Sequence, residues 1–209
     1  MSLKIQFVTD YVCPYCMVAK VPFMQAIHGK DVEVEWIPYE LTQEPDKRID
    51  TYHDEVRKEK WAKTLVPMAK ALGIDMKLPP KVIPRPYTRL AFEGYHYAKE
   101  HGKGEEYNTR VFQAYFSEER DIGNPEVLCE IVKESGLDVD SFRIALNNGT
   151  YTALQKNLVA YARNELHVRS VPTIFAGNTM IEITEYTKEA FEKIINCALE
   201  EWNKKEDCQ

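Results

Sequence analysis

No stretch of this chain comes near the roughly 20 consecutive apolar residues that a membrane-spanning helix needs, so no membrane association is expected. A broad excess of positive charge is also missing. The 27 Lys and Arg stand against 33 Asp and Glu, a net charge of −6, which argues against nucleic-acid binding. The local basic group Arg57, Lys58 and Lys60 is interleaved with acids and reads as a solvated helix face. The five cysteines (Cys13, Cys16, Cys129, Cys197 and Cys208) are odd in number and, one pair apart, scattered. They make a poor disulfide framework and suit a reducing compartment. Met1 to Val8 contains no apolar h-region and no small-residue cleavage site, so a cytoplasmic location is expected. Internal repeats and low-complexity tracts are absent. With 44% hydrophobic and 29% charged residues over 209 positions, the composition suits an ordered globular chain with a substantial core.

The order of elements follows from hydrophobic period and turn chemistry. Lys4 to Thr9 reads as a buried strand. Pro14 suits the first turn of a helix that carries Val18, Val21, Met24 and Ile27 at helical spacing, with Pro22 kinking it and Gly29 closing it. Val32 to Tyr39 alternates and forms a second strand, parallel to the first across a βαβ unit. Residues 44 to 148 then show no convincing strand. Helices are predicted over Tyr52 to Leu72 (broken at Pro67), Thr88 to His101 and Glu106 to Phe116, with a proline-rich extended loop over Leu78 to Pro86. Asn124-Pro125 opens a further helix, and Asp140 caps a short one through Leu146. Thr152 to Glu165 is helical, Val171 to Ala176 is a strand opened by Pro172, Gly177-Asn178 turns into a partner strand over Thr179 to Ile183, and Thr187 to Trp202 is a final helix with a frayed tail. The expected architecture is α/β: residues 1–43 and 150–209 form one sheet-and-helix domain, interrupted by a helical insertion over residues 44–149.

The close pair Cys13-Pro14-Tyr15-Cys16 carries the chemistry. Two cysteines three positions apart at a helix start reach each other across one turn. Unpaired N–H groups and the positive end of the helix dipole face Cys13 and favour its thiolate. Thiols in this setting have pKa values of roughly 3.5 to 7.5, against about 8.5 unperturbed. Cys16, one turn deeper, should be buried and less ionised. Cys13 is therefore the attacking sulfur and Cys16 the resolving one. Two bland readings compete: half of a zinc site, for which no other Cys or His stands at ligand spacing, and two core cysteines on a buried helix face.

The strand, loop, Cys-Pro-x-Cys and helix resemble the thioredoxin superfamily, and Val171-Pro172-Thr173 matches the position of that family's cis-proline before a β-hairpin. The helical block between the second strand and the helix preceding that proline is similar to the DsbA family. Asp10-x-x-Cys13-Pro14-x-Cys16 and the long insertion look most like its cytoplasmic FrnE-like branch. The resemblance implies a thioredoxin fold and a protein thiol–disulfide oxidoreductase. Cys13 and Cys16 would be catalytic, and Pro14, Tyr15, Val171 and Pro172 would border the substrate. It implies no metal and no nucleotide, with the cysteine pair itself as redox centre and glutathione as a conceivable co-substrate. The expected partners are cysteine-containing proteins or peptides and a recycling redox protein, the chain being monomer or homodimer.

Departures qualify the expectation. Tyr15 stands where the DsbA family often has histidine, so a less oxidising pair is expected. Phe7 stands six residues before Cys13, where related proteins bury a carboxylate, so no proton acceptor is assigned there; Glu35 would approach Cys16 only if its face of the second strand turns that way, which one residue of register decides. A rival reading is a glutathione-dependent isomerase or transferase of the hydroxychromene-carboxylate isomerase or kappa class, whose members usually replace the first cysteine by serine. Another is a non-catalytic interaction module. The aromatics Tyr87, Phe92, Tyr95, Tyr97, Tyr107, Phe112, Tyr115 and Phe116 are expected to form the core of the helical block. His96 and His101 are expected at the surface or a helix end, and Cys129 and Cys197 in the core.

Overall fold

Leu3–Thr9 forms strand β1, and its side chains serve two faces in alternation. Ile5 and Phe7 point to one core, Val8 to a second. Helix α1 (Pro14–Ile27) crosses back to strand β2 (Val32–Pro38), which runs parallel to β1 with Phe7 opposite Trp36. These elements come from a computed structural model that describes residues 2–206. Strand β3 (Thr173–Ala176) adds antiparallel to the other side of β1, and β4 (Thr179–Ile181) adds to β3 across a turn with Gly177 at φ +55°. The sheet order is β2-β1-β3-β4.

Between β2 and β3 the chain forms α2 (Glu55–Lys63), α3 (Leu65–Ala71), α4 (Arg89–Glu100), α5 (Gly104–Phe116), α6 (Pro125–Glu134), α7 (Val139–Asn147) and α8 (Thr152–Ala160). A π-helical turn (Tyr161–Glu165) continues α8, and α9 (Lys188–Glu206) ends the described chain. Helices α1 and α9 cover one sheet face through Phe7, Phe23, Trp36 and Phe191; Ala162 and Val168, from the turn and the loop that follow α8, cover the other with Val8, Ile37 and Phe175. This is the expected thioredoxin arrangement, with all-helical chain inserted after β2. The inserted helices share a core with the sheet layer: the Tyr11 ring stacks on Phe92 at 4.4 Å and meets Phe112 edge-on at 5.0 Å. Of the eight aromatics expected in the block's core, seven are buried, and Tyr87 is half-buried with its hydroxyl donating to the Asp46 carbonyl.

Several boundaries differ from expectation, each for a local reason. The break in the second predicted helix falls at Thr64, three residues before Pro67. The proline then lies in the first turn of α3, where its missing N–H costs no hydrogen bond. Asp138, and not Asp140, caps α7, because its carboxylate reaches the Ser141 N–H at 2.8 Å. Strand β3 starts after Pro172, at Thr173, and β4 stops at Ile181. Helix α9 continues past Trp202 to Glu206; that indole packs on the core and comes within 4 Å of where a Gly177 Cβ would sit, which anchors the last turns. Cys208 lies outside the described residues.

Gly94 in α4 exists because of its neighbour. A Cβ there would run into the Tyr107 hydroxyl and stand 2.7 Å from its Cζ. Tyr107 is fully buried and its hydroxyl donates to the Ala91 carbonyl at 3.1 Å, so it has little room to retreat. Gly94→Ala is therefore expected to destabilise the protein by about 2 kcal/mol or more through overpacking, read as a lower urea midpoint; an unchanged midpoint would mean the ring can move aside.

Candidate active site

Three neighbouring hydrogen bonds shape the turn that follows β1. The Cys13 N–H donates to the Asp10 carbonyl at 3.0 Å, and the Cys13 carbonyl then accepts from Cys16 N–H at 3.0 Å and Met17 N–H at 3.4 Å. Cys13 is thus the extended N-cap of α1 (φ −91°, ψ 112°), with Pro14 in the first turn. No side chain caps this helix; of its first-turn N–H groups, those of Cys13 and Cys16 are engaged by backbone carbonyls and Pro14 has none. The sulfur donates to the Val171 carbonyl at 3.3 Å. The strand register explains that meeting. Val8 pairs with Thr173 in antiparallel β1–β3, so the residues before β3 lie opposite the residues after β1. The Val171–Pro172 peptide is cis, as expected.

Cys16 points inward and is fully buried. Burial, and next the adjoining Cys13 sulfur, push its thiol well above the ordinary range, while the Thr9 hydroxyl and the Asp10 backbone pull weakly the other way. Tyr15 remains half-buried, its ring 6.2 Å from that of Tyr186. Burial, then the charges of Cys13 and Cys16, raise the Tyr186 hydroxyl to about 12. The six residues singled out in sequence, Cys13, Pro14, Tyr15, Cys16, Val171 and Pro172, therefore adjoin one another. Among the described residues, no group of three His, Cys, Asp or Glu side chains is disposed to hold a metal.

The structure decides one open alternative and corrects two assignments. Glu35 does not approach Cys16. It accepts from Gln6 Nε2 at 3.0 Å and pairs with Lys4, on the sheet face away from α1; strand alternation sends Trp36, its neighbour, to the α1 side instead. His96 is neither superficial nor at a helix end: it is buried with Nε2 2.9 Å from Gln155 Oε1. His101 does sit at the end of α4, against the Tyr97 carbonyl. Cys129 is buried, but Cys197 is exposed. A groove of about 1270 Å³ between β4 and α9 includes Cys197 in its wall, and neither Cys13 nor Cys16 lines it.

A buried polar centre beneath the turn was not legible in the sequence. Asp10 is inaccessible to solvent. Its Oδ2 accepts from Leu41 N–H at 2.6 Å and its Oδ1 from Val12 N–H at 3.4 Å, with the Thr88 hydroxyl as a further donor. Burial nevertheless leaves its carboxyl above the usual range. Glu40, at φ +53°, is also buried and raised by burial; Gln155 donates to its Oε1, and Arg163 donates to its carbonyl at 2.7 Å. The π-helical turn carries Arg163 over the Tyr39 ring, 4.2 Å from its centroid. The one available signal was Asp10 itself, an acid three residues ahead of Cys13 in a largely apolar stretch.

With this geometry established, comparison with known proteins is informative. Residues 4–186 match the DSBA-like thioredoxin domain family. The chain is 45% identical over 196 residues to the uncharacterized protein YwbO of Bacillus subtilis (strain 168), covering 94% of this chain and 97% of that one. Among solved structures, it resembles a probable DsbA oxidoreductase from Streptomyces coelicolor (22% identity, 95% and 91% of the two chains, TM-score 0.77). It also resembles a 2-hydroxychromene-2-carboxylate isomerase (16% identity, 99% and 99%, TM-score 0.73). A third is the cytosolic disulfide reductase DsbM of Pseudomonas aeruginosa, solved with GSH (15% identity, 95% and 100%, TM-score 0.72). At these identities the structural likenesses establish the fold.

Two measurements test the site. In the folded, reduced protein at pH 7, iodoacetamide should modify Cys16 at least about tenfold more slowly than Cys13, because a buried thiol with a raised pKa offers little thiolate; peptide mass spectrometry showing equal rates would contradict this. Glu40→Gln tests the buried carboxyl. A carboxyl raised on folding binds more protons folded than unfolded, so its contribution to stability is lost as pH climbs from about 4.3 through the folded value. The stability of Glu40→Gln relative to wild type should therefore increase between pH 4 and pH 8, read from urea midpoints; a flat difference would contradict the assignment.

Proposed function

The chain belongs to the DSBA-like thioredoxin domain family, and from that premise we propose that it is a protein thiol–disulfide oxidoreductase working through Cys13 and Cys16. The observation that carries this reading is the contact of Cys13 Sγ with the Val171 carbonyl at the mouth of α1, with Cys16 buried directly behind. A nucleophilic sulfur, a resolving sulfur and a backbone edge for an extended substrate meet within one turn of chain. Pro14 and Tyr15 on one side and Val171 and Pro172 on the other border the approach.

In the reducing direction, the Cys13 thiolate attacks one sulfur of a substrate disulfide and expels the other as a thiolate. Cys16 then gives up its proton and attacks Cys13 Sγ. That step releases the second substrate thiolate and leaves the Cys13–Cys16 disulfide. Two electrons pass to the substrate, and a thiol reductant such as glutathione, or a partner protein, restores the pair. The oxidising direction is the reverse. Tyr15 supplies no cation, which supports a pair less oxidising than those with histidine there. The scattered cysteines support a reducing, cytoplasmic setting, and the Asp10-x-x-Cys13 start with the long helical insertion supports the FrnE-like branch. Retention of both cysteines weighs against a glutathione-dependent isomerase, despite the shared fold.

The wild-type protein is expected to reduce insulin with a thiol reductant or to refold scrambled ribonuclease. Cys13→Ser should abolish either activity, and Cys16→Ser should accumulate a mixed disulfide on Cys13. Absence of both activities in wild type, with no trapped adduct, would overturn the proposal. Glutathione-dependent turnover of a small electrophile that survives Cys16→Ala would favour the isomerase reading instead.

A further inference from the structure

Strand β2 ends at Pro38, and the next backbone group, the Tyr39 N–H, donates to the Thr9 carbonyl of β1 at 2.9 Å. Glu40 then takes φ +53°, a left-handed conformation that a residue with a Cβ keeps only when its surroundings hold it there. Two residues from the far end of the chain do so. Arg163 donates from Nη2 to the Tyr39 carbonyl at 3.1 Å and to the Glu40 carbonyl at 2.7 Å, while its own Nε is buried without a partner. Gln155, inaccessible to solvent, donates to Glu40 Oε1, and its own Oε1 lies 2.9 Å from His96 Nε2. The consequence falls on the following residue. The Leu41 side chain is exposed, yet its N–H is turned to Asp10 Oδ2 at 2.6 Å. Asp10 is the residue on which the cysteine turn is built: its carbonyl accepts from the Cys13 N–H at 3.0 Å and its Oδ1 from the Val12 N–H at 3.4 Å.

We propose that Glu40 is a positioning residue for the thiol–disulfide reaction: its left-handed backbone aims the Leu41 N–H at Asp10, and Asp10 thereby holds the Cys13 turn in the geometry that disulfide closure needs. This rests on the oxidoreductase reading above and deepens it by assigning α8 and its π-helical turn a part in setting the redox equilibrium. Every link from Arg163 and Gln155 to Cys13 is a hydrogen bond or a stretch of one or two residues of backbone. The energetic logic is one of order. Closing a disulfide between Cys13 and Cys16 costs the freedom of the turn that carries Cys13. A turn already fixed in the dithiol has less freedom to lose, so fixing it favours the disulfide. A relaxed residue 40 would turn the Leu41 N–H away and leave Asp10 Oδ2 without that bond.

Two substitutions at one position separate the backbone from the carboxylate. Glu40→Val and Glu40→Gly both remove the carboxylate, but only glycine takes φ +53° without strain. The test is the equilibrium of Cys13–Cys16 with glutathione, in which one protein disulfide and two glutathione molecules give one protein dithiol and one glutathione disulfide. Glu40→Val should raise the equilibrium constant for reduction about fivefold, and Glu40→Gly should recover most of that change. Arg163→Met, which removes the donor to both carbonyls, should shift the constant in the same direction as Glu40→Val. Urea midpoints measured alongside separate stability from equilibrium. Coupling is reciprocal, so the wild-type protein supplies a test that holds even where a variant fails to fold. Its Leu41 amide, referred to the Phe112 amide of α5, should exchange with deuterium several-fold more slowly in the disulfide form than in the dithiol form. Variants that lose stability but keep the wild-type constant, a Glu40→Gly that shifts it as far as Glu40→Val, or a Leu41 amide that exchanges equally in both forms would each overturn the role of Glu40 while leaving the proposed function intact. A wild-type protein whose cysteines do not exchange with glutathione at all would overturn the proposed function and this inference together.

Discussion

The antiparallel addition of β3 to β1 is the constraint on which the rest of the molecule turns. Strands β1 and β2 run parallel, so the helix between them starts where β1 ends. An antiparallel β3 must begin where β1 ends as well. Both the mouth of α1 and the cis-proline peptide therefore lie at one end of the sheet, although about 160 residues of chain separate them. The Cys13–Val171 hydrogen bond is the consequence. A register shift of two residues in that pairing would carry Val171 about 7 Å along β1 and separate the carbonyl from the sulfur.

The inserted helices are part of this arrangement and not an appendage to it. Tyr11, in the loop between β1 and Cys13, is fully buried between Phe92 of α4 and Phe112 of α5. Trp36 of β2 donates from Nε1 to Glu105 of α5 at 3.1 Å, and the same carboxylate pairs with Lys20 of α1. Lys20 is nearly inaccessible, and burial draws its ammonium below the usual range even though Glu105 pulls it back up. A buried cation without that partner would cost several kcal/mol. The two parts of the chain thus share apolar contacts and compensated charges.

Much of this could be read from the chain directly. Cys13-Pro14-Tyr15-Cys16 after an apolar run fixes its own helix start, because proline at the first helical position and an extended residue before it are local requirements. Glycines at helix ends, among them Gly102 and Gly136 with positive φ, likewise announce themselves. What failed to be legible depended on contacts between distant segments. Asp138 and Asp140 are both plausible caps, and the choice rests on which carboxylate reaches Ser141. His96 reads as an ordinary surface histidine until Gln155 of α8 is brought against it. Cys197 lies on an apolar helix face, yet it stays exposed at the wall of an open groove.

The amino-acid sequence by itself determined the positions of strands and helices, the helix-start chemistry of Cys13 and the inward aim of Cys16, because period, proline and N-terminal geometry act over a few residues. Only the tertiary structure decided which groups surround those sulfurs. Glu35 was turned to the far side by strand alternation, and Asp10 was taken out of water by Leu41 and Thr88. The reason is physical: the burial of a charge and the distance between two charges are properties of the packed chain, and no local pattern encodes them.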